Sequence, residues 1–119
     1  MKRLSLLIAS TVACLIFAQA AQAEGRIIEI HDSGAISEAT AVKAAIDAAA
    51  DAAATCRRST SKTPLECECS ATAEMARLKS AYEAAVADHP DWQEPGITVW
   101  WSGTALNFSA INRAVHTCP

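Results

Sequence analysis

The stretch TPLECECSATAE, residues 63–74, decides how this chain is organised. Thr63-Pro64-Leu65-Glu66 reads as a capping box with proline at the first helical position, so a helix begins at Pro64. Two cysteines one residue apart, Cys67 and Cys69, then fall inside its first turns. At about 100° per residue, positions two apart on a helix point to nearly opposite sides. A pair placed that way suits two separate tethers better than one shared ligand.

Upstream lies ISEATAVKAAIDAAADAAATCRR, rich in alanine and free of glycine and proline from Ala35 to Thr63. Alanine is the strongest helix former. The composition predicts a first helix over 37–58, with Ser37 as N-cap and Arg57-Arg58 meeting the negative end of the helix dipole. Its apolar seam runs Ala39, Val42, Ile46, Ala49, Ala53, Cys56. The second helix is predicted over 64–88, ended by His89-Pro90 because the residue before proline leaves the α region. Its seam runs Ala71, Met75, Leu78, Tyr82, Ala85.

Only residues 59–62 separate the two helices, so they fold back as an antiparallel hairpin. Facing positions in such a hairpin have a constant sum. The pairs 39 with 85, 42 with 82, 46 with 78, 49 with 75 and 53 with 71 all sum to 124. Two seams read separately therefore agree on one register.

After Pro90 the composition changes, and all three tryptophans follow. ITVWW and TALNF flank Ser102-Gly103, which predicts a β-hairpin over 97–101 and 104–108. The alternative is one longer helix from about Ser102. SAINRAVHTC predicts a short C-terminal helix over 109–117. RIIEIH, residues 26–31, is β-branched and supplies a third strand resting with the hairpin on the helices. The fold class is mainly α with a small β element.

The N-terminus carries Lys2 and Arg3 ahead of an apolar run over 4–18 and the small-residue pattern Ala21-Gln22-Ala23. That is the outline of a cleaved secretory signal over 1–23, too short in its apolar part for a stable membrane anchor. A retained anchor, or a lipid on Cys14, are the alternatives. Cleavage leaves a single domain over 24–119, with the net charge moved from −3 to −5 by the loss of Lys2 and Arg3. An acidic chain without a basic stripe is a poor nucleic-acid binder. The setting would be periplasmic or secreted, in a bacterial envelope.

Four cysteines remain after cleavage. Cys67 lies roughly 40° from the Ala71 seam and faces the first helix, whose seam ends at Cys56. Cys69 points away, over a small-residue side formed by Ala73, Ala76, Ser80, Ala84 and Ala87. A C-terminal segment returning along that side brings Cys118 to it. The expected bridges are Cys56–Cys67 and Cys69–Cys118, which suit an oxidising compartment and a thin core. The rival is a metal- or thiol-handling set of Cys67, Cys69, His116 and Cys118, chemically suited to zinc or copper.

No nucleophile elbow, zinc-protease helix or phosphate loop occurs, so the sequence predicts no enzyme and implies no cofactor. Asn107-Phe108-Ser109 matches a glycosylation sequon by chance. Trp92, Trp100 and Trp101 are the candidate partner-binding residues. Neighbours on a strand face opposite ways, so one of Trp100 and Trp101 enters the core. The other either packs under residues 24–36 or Trp92, or is left as a binding anchor. The expectation is a structural or protein-binding module, engaging a protein partner or a second copy of itself.

Overall fold

A computed structural model describes residues 25–118. The expected signal over 1–23 and Cys14 lie outside the described residues. The elements are β1 (Arg26–Glu29), α1 (Ser33–Ser59), α2 (Pro64–Ser70), α3 (Thr72–Asp88), a 3₁₀ turn (Pro90–Gln93), β2 (Ile97–Trp101), β3 (Thr104–Leu106) and α4 (Phe108–Thr117). The α+β class, the helical hairpin and the small sheet are all present.

The helix α1 starts four residues earlier than Ser37 predicts. Asp32 caps it, its Oδ2 accepting from the Ala35 N–H at 2.9 Å. Aspartate caps as well as serine does. The earlier start also buries Ala35 and half-buries Ile36, which extends the seam by a turn. At the far end the Thr60 N–H bonds the Cys56 carbonyl, with Arg57 and Arg58 in the last turn.

The capping box at Thr63 forms in both directions. Thr63 Oγ1 accepts from the Glu66 N–H at 3.2 Å, and Glu66 Oε1 accepts from the Thr63 N–H at 3.3 Å. The expected continuous second helix is broken, however. Ala71 takes φ −78°, ψ 60°, and α3 restarts beyond it with Met75 N–H bonding the Ala71 carbonyl. Both bridging cysteines of α2 lie within four residues of this break. A helix tied on two sides over seven residues need not keep the axis of its neighbour, and the bend at Ala71 absorbs the difference.

Every position of both expected seams is buried or half-buried, and α1 against α3 is the most extensive contact in the molecule. The small-residue side of α3 is another matter. Ala73, Ala76, Ser80, Ala84 and Ala87 remain exposed. α4 instead lies along the side of Met75 and Leu78, where Ile111 and Val115 are buried. Larger apolar side chains there bury more area than alanines do.

The sheet has the order β1-β2-β3, with β1 parallel to β2 and β3 antiparallel to it. The long helical crossover between β1 and β2 permits the parallel pairing. Ile28 pairs with Val99 and Val99 with Leu106, so these share the inner face with Ile97 and Trp101. β3 ends at Leu106 rather than 108. Asn107 Oδ1 accepts from the Ala110 N–H at 3.0 Å and caps α4, which delivers Phe108 fully buried into the core. The same cap excludes a longer helix from Ser102.

Ser102 and Gly103 both have positive φ, 44° and 78°, the signature of a two-residue turn matched to strand twist. Glycine adopts that conformation freely and serine does not. Gly103→Ala should cost about 1–2 kcal/mol. Ser102→Asn should raise stability by about 0.5 kcal/mol, because Asn-Gly suits this turn. Urea melts of the two variants against the parent check both signs.

Candidate functional site

The cysteine question is settled by geometry. Cys56 bridges Cys67 with their Cα atoms 5.5 Å apart, and Cys69 bridges Cys118 at 5.4 Å. Both expected connections are present. Cys67 is fully buried under the hairpin end, with Thr60 Oγ1 beside its sulfur at 4.0 Å. Cys69 and Cys118 are half-buried. The rival metal set therefore has no free thiolate in this form. His116 Nδ1–H donates to the Asn112 carbonyl at 2.7 Å.

The three tryptophans separate. Trp92 sits in the 3₁₀ turn, buried, with His89 stacked on one side at 3.9 Å and Phe108 tilted against it at 5.1 Å. Trp101 is 6% exposed and belongs to the core. Trp100 is 39% exposed on the outer face of the sheet. Residues 26–29 pair beside β2 rather than over it, so they do not cover this ring. Ile27, 69% exposed, pairs with Thr98 and so shares the outer face, one diagonal step from Trp100.

A titratable corner was not expected from sequence. Glu38 on α1 brings Oε2 to 3.1 Å from His89 Nε2, a close contact without good hydrogen-bond alignment. Asp88 beside it holds the Glu38 carboxyl above the ordinary value. Partial burial and the Asp88 charge act in the same direction, while His89 opposes them. The hairpin register contained the signal, because pairing 39 with 85 puts Glu38 within one turn of residues 88 and 89. Neither the trough lined by Ile46 and Ile111 nor the pocket beside Cys69 and Cys118 reaches this corner, which joins the start of α1 to the end of α3.

Among the described residues, no group of three His, Cys, Asp or Glu side chains is arranged to hold a metal ion. No described helix is long and apolar enough to cross a membrane. No family model matches the chain, nor does any curated protein or solved structure.

Two measurements follow from this geometry. In the chain-entropy model, a bridge spanning 49 positions contributes about 4 kcal/mol and one spanning 11 about 3 kcal/mol. Cys69→Ala with Cys118→Ala should therefore destabilise more than Cys56→Ala with Cys67→Ala, read by denaturant midpoints at equal m-value.

Glu38 has a raised folded pKa, so the native state holds its proton more tightly than the unfolded chain does. Its stabilisation is complete below the ordinary value of 4.5 and is lost as pH rises through the raised value. Glu38→Gln should match the parent in the acid range and become the more stable of the two toward neutral pH. Glu66 runs the other way. Hydrogen bonds from Thr63 lower its pKa, so its contribution is present above 4.5 and fades on further acidification. Thermal melts across pH 3.5–8 on E38Q and E66Q separate the two signs.

Proposed function

We propose that this chain is a small exported, periplasmic or secreted module that binds another protein and performs no catalysis. The observation that carries the reading is the outer face of the sheet, where Trp100 stands 39% exposed beside Ile27 at 69%. Tryptophan anchors interfaces because it presents a large rigid apolar surface with little entropy to lose. Trp92 and Trp101 serve instead to hold the sheet on the helices. Two disulfides support the exported setting, since such bridges persist in oxidising compartments.

The occupant of this face is a protein partner or a second copy of the chain. A photo-cross-linking residue at position 100 of the exported protein should give one discrete adduct, and the same residue at the exposed position 83 should give none. An adduct of twice the chain mass identifies self-association. No adduct from position 100, in a variant that melts like the parent, removes partner binding through this face. Trp100→Ala should cost about 1–2 kcal/mol, because most of the side chain is covered at 39% exposure.

A further inference from the structure

β1 is an edge of the sheet, paired on one side only. The Arg26 N–H bonds the Gly96 carbonyl at 3.1 Å, and the Ile30 N–H bonds the Trp100 carbonyl at 2.9 Å. In a parallel ladder every second residue bonds the neighbour, so the N–H and C=O of Ile27 and Glu29 point away from β2. Among the described residues no strand meets them. No lysine, proline or bulge guards Arg26–Glu29. The opposite edge, β3, turns only Ala105 outward before Asn107 caps α4. We propose that β1 pairs antiparallel with β1 of a second copy, Ile27 opposite Ile27, joining two three-stranded sheets into one. This pairing rests on the outer sheet face being an interaction surface, and it makes the occupant the chain itself.

The backbone selects the kind of partner. A row of unpaired amide groups is satisfied as a set by another extended chain. A two-fold axis normal to the sheet makes identical edges antiparallel. Both copies then bond through odd-numbered residues, so odd faces odd, and the helices of both lie on one side of the joined sheet.

The side chains select the register. That parity allows Ile27 opposite Ile27, Ile27 opposite Glu29, or Glu29 opposite Glu29. Like charges directly opposite destabilise, which removes the last. The second leaves an isoleucine facing a carboxylate twice over. The first sets Glu29 against Gly25, which has no side chain and open space beside its Cα. Glu29 then keeps its own neighbour His31, 3.6 Å away. Trp100 lies one diagonal step from Ile27, so the same register lines up Trp100, Ile27, Ile27 and Trp100 across the two copies.

Two four-residue strands bury little area, so the dimer belongs to the weak class. The test is sedimentation equilibrium of the exported, disulfide-bonded chain up to about 1 mM, with amide hydrogen exchange on the same samples. Expected is a mass that doubles with concentration while exchange at Ile27 and Glu29 slows. Ile28, already bonded to β2, should not change. Ile27→Lys and Ile27→Glu should each give a monomer that melts like the parent, since Ile27 is 69% exposed. Mixed in equal amounts they should restore the dimer, because a lysine then faces a glutamate. A parent still monomeric at about 1 mM overturns the pairing, as does a dimer in which Ile27 and Glu29 exchange freely. A dimer that Ile27→Lys leaves intact or tightens overturns it too, tightening meaning that position 27 faces Glu29. A monomer that still gives a discrete position-100 adduct with another protein overturns self-pairing and leaves partner binding by the face in place. A dimer with protected amides but no position-100 adduct upholds the pairing and removes the face as a separate contact.

Discussion

Cys67 and Cys69 sit two positions apart on a helix of seven residues, and each is tied to a different part of the chain. One bridge closes the hairpin at its open loop. The other brings the C-terminus back across 49 positions and sets where α4 ends. The core explains why such tethers matter. Ala35, Ala39, Ala45, Ala53 and Ala85 make up much of the buried apolar set. Alanine buries little area, and each missing methylene forgoes roughly 0.8 kcal/mol of transfer energy. Restricting the unfolded chain supplies stability that such a core cannot, and a native state of this size needs only about 5–15 kcal/mol.

The hairpin and both disulfides were legible because helical periodicity is a geometric constant. The spacing of Val42, Ile46, Leu78 and Tyr82 defines two stripes, and 100° per residue separates Cys67 from Cys69 without reference to anything else. The boundaries were less legible because caps compete. Asp32 and Ser37 are both good N-caps, and the choice between them turned on burying Ala35 and Ile36, which is a tertiary gain. The bend at Ala71 has no proline or glycine to announce it. It arises where the tethers on α2 meet the axis of α3, a long-range constraint that local sequence does not carry. Asn107 likewise looked like the end of a strand, while its side chain was already committed to the first turn of α4.

The aromatic residues show the opposite case, in which strand alternation predicts a division but not its outcome. Trp100 and Trp101 had to face apart. Which one was covered depended on β1 pairing beside β2 in a parallel register, leaving the outer face open. Trp92 gained its place through Phe108, which α4 inserts beneath it, and through the stacked ring of His89. His89 in turn meets Glu38, so the start of α1, the end of α3 and the aromatic core share one corner. A proton added to Glu38 relieves its repulsion with Asp88 at the place where these elements join.

The alanines that make this fold possible also leave it incomplete on one side. Short side chains let α1 and α3 approach closely along their shared seam, which is where they are buried. The short side chains at Ala49 and Ala50 do not reach Ala110 and Ala114 across the gap between α1 and α4. Packing that is tight toward one neighbour is therefore open toward the other. A larger apolar residue at exposed Ala50 would narrow the gap and bury more area, whereas one at buried Ala53 would overpack the seam. A chain that relies on disulfides rather than on those extra contacts tolerates an open trough there. That consequence follows from composition, and it ties the helix-forming alanines directly to the apolar trough between α1 and α4.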